Sequence, residues 1–163
     1  MEHKIKCGVI GAGWWATFAH IPALLAHPNA EVAAIQNNDP QEARKIARDF
    51  GISISCTTVD ELLAIEDLSA VVVSSSPNLH YRDAYAALAR GKHVLVEKPM
   101  TLTVAEAVEL VKMADKHGTQ FLISCPWHYT AHATEAQRLI RNGDLGQMRM
   151  CSILMTNPIR ELL

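Results

Sequence analysis

The sequence predicts an α/β fold, a doubly wound parallel sheet followed by the start of a second α/β domain. Three observations carry that expectation. Short apolar runs alternate with stretches of helical periodicity along most of the chain. Residues 70–75, AVVVSS, lack polar alternation, as a strand covered on both faces should. And the first strand runs straight into Gly11-Ala12-Gly13-Trp14-Trp15-Ala16, the G-x-G-x-x-G/A pattern of a dinucleotide-binding turn. Strands alternating with helices select right-handed crossovers. A ligand then sits outside the carboxyl ends of the strands, where the winding reverses.

Each element follows from its residues. Ile5, Cys7, Val9 and Ile10 make the first strand. Phe18, Ile21, Leu24 and Leu25 predict a helix over 16–26, with Pro22 inside it demanding a kink or a restart. Strand two covers 31–36, and Asn37-Asn38-Asp39-Pro40 turns into a helix over 41–50 closed by Gly51. A short strand (52–56) and a small helix (60–65, with Thr57 or Thr58 near its cap) follow. After the strand at 70–75 come a helix over 80–90, strand five at 93–96, and an amphipathic helix over 103–117 bearing Val104, Ala107, Val108, Val111 and Met113. Strand six at 120–124 completes the sheet. The tail reads as a helix over 131–142, a turn at 143–146 and a seventh strand over 148–156. A lone strand there would leave an unpaired edge, which makes a homo-oligomer an expectation. The division is therefore 1–125 for the nucleotide-binding domain and 126–163 for the first helix and strand of a second.

Composition narrows the function classes. At 163 residues the chain has room for a real core, and 49% hydrophobic with 20% charged residues argues against disorder. A formal net charge of −2 without a basic stripe offers nucleic acid no footprint. No apolar run nears the ~18 residues of a membrane span, and the start is not a signal peptide, so a cytoplasmic protein is expected. Cys7, Cys56, Cys125 and Cys151 are scattered singly in or beside strand-like runs, which reads as buried free thiols.

The glycine turn assigns chemistry to positions. Gly11 lets the chain turn tightly, Gly13 lets backbone approach a pyrophosphate, and Ala16 lets the helix pack on the strand. Trp14 and Trp15 complete the turn as cofactor-binding candidates, and the helix that follows offers N–H groups and a positive dipole end to phosphates.

Four landmarks in order then resemble the glucose–fructose oxidoreductase, inositol dehydrogenase and rhizopine-catabolism family (Gfo/Idh/MocA): GAGWWA at 11–16, SPNLH at 76–80, EKPM at 97–100, and a helix followed by NGDLG at 142–146. The resemblance covers nearly the whole chain. It implies a Rossmann domain ahead of a larger open-sheet domain, NAD or NADP as cofactor, and hydride transfer to or from a sugar, polyol or related small hydroxy compound. By the same resemblance Lys98 lies beside substrate and nicotinamide as the catalytic residue, and Ser75, Pro77, Asn78, His80, Glu97 and Lys98 border the cofactor. A lysine at a strand's carboxyl end has a physical route to that role. Partial desolvation and a positive nicotinamide both disfavour its ammonium form, so it exchanges protons readily. Glu97 orients or neutralises, and Pro99 fixes the turn, in the one linkage where a cis bond is an ordinary option. His80 reads as a cap or packing residue as much as a cofactor neighbour, and His20 and Pro22 border the cleft.

Two departures from the family pattern stand out. Asn37 and Asn38 occupy the end of strand two, where a carboxylate often binds the adenosine ribose. Asparagine bonds a hydroxyl without repelling a 2′-phosphate, and no arginine follows directly, so NAD and NADP both stay open. The family's further catalytic aspartate and histidine would lie beyond Leu163. The alternative is therefore a nucleotide-binding module without chemistry: a truncated enzyme, a pseudoenzyme or a redox sensor. Past strand six, the resemblance sets Trp127 and His128 on the substrate side. His128, His132 and Glu135 share a helical face, yet no complete metal ligand set is present, and no metal is expected.

Overall fold

The computed structural model describes residues 4–154. The chain divides into two compact units, Met1–Cys125 and Pro126–Leu163. The first is a six-stranded sheet in the order β3-β2-β1-β4-β5-β6, parallel at every pairing. Its strands are β1 (Ile5–Ile10), β2 (Ala30–Gln36), β3 (Ile54–Cys56), β4 (Ala70–Val73), β5 (His93–Glu97) and β6 (Phe121–Ser124). The chain winds outward from β1 to β3, returns to β4 beside β1, and winds the other way to β6. The winding reverses between β1 and β4, so the crevice opens at their carboxyl ends.

Side chains alternate across the pleat and build a core on each face. Val9, Ile35 and Val72 point to one side and pack with Ile21, Ala43 and Ile46 from the first two helices. Ile10, Ala34, Val71 and Val73 point to the other, against Leu62, Leu88 and Leu110. These helices are α1 (Ile21–Ala26), α2 (Pro40–Phe50), α3 (Val59–Leu63), α4 (His80–Ala89) and α5 (Val104–His117). Their ends carry local signals. Asp39 accepts from the Gln41 and Glu42 N–H groups at the start of α2, and capping boxes Thr58–Glu61 and Thr103–Glu106 open α3 and α5. Gly51 and Gly118 close α2 and α5 with φ of 67° and 63°.

The proline in the first helix is resolved by a device other than a simple kink. Residues Ala16–His20 form a π-helical turn, with the Ile21 N–H bonded to the Ala16 carbonyl, before α1 begins. Pro22 has no N–H to give and its ring crowds the carbonyl four residues back. A wider turn just ahead absorbs that conflict.

Several expectations change. On α5 the buried positions are Leu110 and Ala114, whereas Val104, Val108 and Val111 lie on the solvent side. Cys7 and Cys56 are buried, and burial raises both thiols, but Cys125 and Cys151 are exposed. Cys125 follows an edge strand, and Cys151 lies in irregular chain. The second unit holds a 3-10 turn (Pro126–Tyr129) and α6 (Ala131–Arg141), with Gly143 and Gly146 at positive φ beyond it. The expected seventh strand is absent at 148–154, and no other described residue of that unit is in a strand to pair with it; 155–156 lie outside the described residues. The edge that would have favoured self-association is therefore not formed by 148–154. Among the described residues no helix is long and apolar enough to cross a membrane.

Candidate functional site

The crevice at the β1–β4 reversal is a cavity of about 260 Å³. Gly11, Gly13, Asn37, Asn38 and Ser75 line it, together with Gln36, Ser74, Ser76, Leu79, Arg82 and Asp83. The two glycines do different work. Gly11 has φ +73°, and a Cβ there would lie 2.4 Å from the backbone N and Cα of Ser75. It is the point where the turn after β1 touches the loop after β4. Gly13 sits on the open side, where a Cβ would meet only the Gly11 carbonyl, at 4.0 Å. Its bareness serves nothing inside the protein. It leaves the floor of the crevice open for a pyrophosphate, and a helical run begins next to it at Trp14. On this geometry the site fits a dinucleotide.

The polar residues at the end of β2 hold the turn in shape. Gln36, only 2% exposed, accepts from the Gly11 N–H (3.0 Å) and donates to Asn38 Oδ1 (2.9 Å) and the Thr57 carbonyl (3.0 Å). Asn37 donates to the Ala12 carbonyl (2.8 Å) and accepts from the Asp39 N–H (2.9 Å). Asn37, expected to meet a ribose, thus fastens the glycine turn from behind, while Asn38 lies exposed at the rim. Sequence reading passed over Gln36; the clue was a polar residue closing a strand buried on both faces.

A second constellation surrounds Lys98. Glu97, at the carboxyl end of β5, is 6% exposed. Its Oε1 accepts from Trp15 Nε1–H and pairs with His20 Nε2, each at 2.8 Å, and its Oε2 accepts from the Lys98 N–H at 3.1 Å. Burial pushes this carboxyl up, but bonds from Ser124, Trp15, His20 and the Lys98 N–H outweigh it and hold Glu97 below the usual glutamate range. The π turn makes the double contact feasible. In an α-helix Trp15 and His20, five apart, would stand about 140° around the axis from one another. The wider turn brings both to one carboxylate. Glu97 and Trp15 are therefore spent on each other rather than on a ligand. Lys98 itself is exposed, and its bond to Pro99 is cis.

The other expected residues separate. Pro77 and Asn78 are exposed in the 3-10 turn Pro77–Leu79. His80 is 1% exposed, with Nδ1 at 2.7 Å from the Pro99 carbonyl and Nε2 at 2.8 Å from the Ser75 carbonyl. It staples the loop after β4 to the loop after β5, leaving no ring nitrogen for a cofactor. Trp14 is exposed and stacks on Phe18 with ring centroids 5.6 Å apart. Arg82 and Asp83, which sequence reading left out, form an ion pair at 2.8 Å on the crevice wall, with Asp83 also accepting from Ser75 Oγ (2.7 Å). Their signal was faint, since the segment reads as ordinary helix surface.

In the second unit Trp127 and His128 are exposed on the 3-10 turn. Glu135 is engaged by Arg138, and His132 lies near Thr130. Among the described residues no three His, Cys, Asp or Glu side chains gather to hold a metal.

Residues 5–124 match the oxidoreductase family with an NAD-binding Rossmann fold, Gfo/Idh/MocA. A dTDP-3,4-didehydro-2,6-dideoxy-alpha-D-glucose 3-reductase of Streptomyces antibioticus is 35% identical over 95% of this chain and 47% of its own. The D-xylose 1-dehydrogenase [NADP(+)] of Haloarcula marismortui is 28% identical over 99% of this chain and 46% of its own. In structure, the 3-ketoreductase KijD10 from Actinomadura kijaniata, solved with TDP-benzene and NADP, superposes with a TM-score of 0.81 at 30% identity, covering 86% of this chain and 44% of that one. The chain thus spans less than half the length of these relatives. Glycine turn, crossover order and the Glu-Lys-Pro corner all agree with the match, and the chain belongs to the Gfo/Idh/MocA oxidoreductase family through its NAD-binding Rossmann fold.

Proposed function

We propose that this chain is the NAD(P)-binding, lysine-bearing portion of an oxidoreductase acting on a sugar, polyol or related small hydroxy compound. The observation that carries the reading is the Glu97–Lys98 corner. A buried carboxylate, held by Trp15 and His20 from the glycine-turn helix, fixes the backbone of an exposed lysine at the carboxyl end of β5. A bound nicotinamide supplies the hydride acceptor or donor. Lys98 bonds the substrate oxygen and exchanges its proton as the carbon beside it changes oxidation state. Glu97 does not react; it orients. Relatives that act on sugars or nucleotide-linked sugars support the substrate class.

The test is turnover. The chain, alone and in its full-length context, is assayed for NAD(P)H formation against a polyol and sugar panel, with Lys98→Ala beside it. Activity lost in Lys98→Ala, with cofactor affinity kept within about threefold, is the expected result. A module that binds cofactor without chemistry gives saturable binding and no turnover in either context, and that outcome replaces the enzyme reading.

A further inference from the structure

Cofactor choice was open because Asn37 and Asn38, the two residues directly after β2, are neutral. The structure brings a cation to that end of the crevice from another part of the chain. Arg82, in the first turn of α4, lines the main cavity together with Asn38. It also lines the adjoining cavity of about 370 Å³, which runs on past Asn38 toward Thr57 and Thr58. The guanidinium is not free to wander. Nε and Nη2 both lie 2.8 Å from Asp83 Oδ1, and Asp83 is 1% exposed with its other oxygen on Ser75 Oγ. The pair is anchored from below, while the arginine side chain is 64% exposed and keeps donors facing outward.

The paired Asp83 offsets the guanidinium charge without occupying all of its donors, and the other nearby acids are engaged elsewhere. Asp83 is saturated by Arg82 and Ser75, Asp60 is paired with Arg90 at 2.7 Å, and Glu61 closes the cap of α3 on Thr57 and Thr58. The wall opposite carries amides where a carboxylate would repel a phosphate. We infer that Arg82 is the residue that recognises the 2′-phosphate of the adenosine half, so that this chain prefers NADP(H) to NAD(H). A planar fork with part of its donors already committed is a pre-set phosphate receptor, because little side-chain freedom is lost on binding. The inference rests on the reading above that the crevice takes a nicotinamide dinucleotide.

The experiment is a pair of titrations, NADPH and NADH, followed by nicotinamide fluorescence on the wild-type chain, Arg82→Gln and Arg82→Lys. Glutamine keeps a donor for buried Asp83, and a thermal melt checks that each variant folds. Adenosine 2′,5′-bisphosphate, which has no nicotinamide, is the competing probe. The expected result is tighter NADPH than NADH binding in the wild type. Arg82→Gln loses about 10- to 100-fold in affinity for NADPH and for the bisphosphate, and less than twofold for NADH. Arg82→Lys falls between, because the charge stays and the fork is lost. An equal loss for both dinucleotides gives Arg82 a contact to adenine or pyrophosphate and overturns the inference. So does unchanged NADPH affinity in a folded Arg82→Gln. Failure of the wild type to bind either dinucleotide overturns the cofactor reading itself, which is a different result from binding both without discrimination.

Discussion

Replacing each of the two crevice glycines by alanine should produce opposite defects. At Gly11 the new methyl enters a left-handed backbone, φ +73°, which costs an L-residue about 1–2 kcal/mol. It also meets the Ser75 backbone at 2.4 Å, where no flexible side chain end is available to move aside. Overlap of that kind costs about 1–3 kcal/mol more. Gly11→Ala should therefore lose about 2–5 kcal/mol, seen as a Tm lower by about 5–15 °C for a chain of this size. At Gly13 the methyl meets nothing closer than the Gly11 carbonyl at 4.0 Å. Gly13→Ala should melt within about 2 °C of wild type, a change under 0.5 kcal/mol or so. On the proposed reading its methyl stands where a pyrophosphate approaches, so NAD(P)H affinity should fall about tenfold or more, or at least 1.4 kcal/mol. Differential scanning fluorimetry and cofactor fluorescence titration read the two quantities separately. A Gly13→Ala protein as unstable as Gly11→Ala, or one that binds cofactor at wild-type strength, would refute the division of labour between the two positions.

Two further outcomes concern protonation. Glu97 is held below its usual value, so its contribution to stability is complete above the unfolded value of 4.5 and is lost as pH falls through the lower folded value. Urea midpoints taken from pH 6 down to about pH 3 should decline more steeply in wild type than in Glu97→Gln; parallel curves would remove the argument. Tyr81 donates to Glu109 on α5, and that bond raises its phenol to about 12. Ultraviolet titration at alkaline pH should show one late-ionising tyrosine that returns toward 10 in Glu109→Gln.

Much of this molecule was legible in its residues. The order of strands and helices followed from apolar runs and periodicity, and Asp39, Gly51 and Gly118 marked their own helix ends. The glycine turn announced both the crevice and the positions of Gly11 and Gly13. What stayed hidden was the destination of polar side chains. Nothing local distinguishes Asn37, which turns inward to the Ala12 carbonyl, from Asn38, which stays at the rim. The Arg82–Asp83 pair reaches the crevice because α4 begins beyond the carboxyl end of β4, where Ser75 bonds Asp83, a tertiary fact. The valines of α5 misled because Val104, Val108 and Val111 make a credible stripe of their own, while packing chose Leu110 and Ala114. The tail misled for a related reason: β-branched and apolar residues describe a strand's surface, but only a partner makes a strand.

The π turn of residues 16–20 amounts to one residue of surplus length inside a helix, and surplus length has a directional effect. Everything before the turn is tied to the glycine loop, and everything after it is tied to Ile21 in the core. The helix is thus clamped at both ends, and its extra residue sets the phase between them like the offset on a vernier scale. Winding the same residues as a regular α-helix, with none removed, would set Trp15 and His20 about 140° apart around the axis. Trp15 or His20 could then face Glu97, but not the two together. The contact that ties the glycine turn to the lysine corner consequently depends on the pitch of one helical turn, which no single side chain reveals.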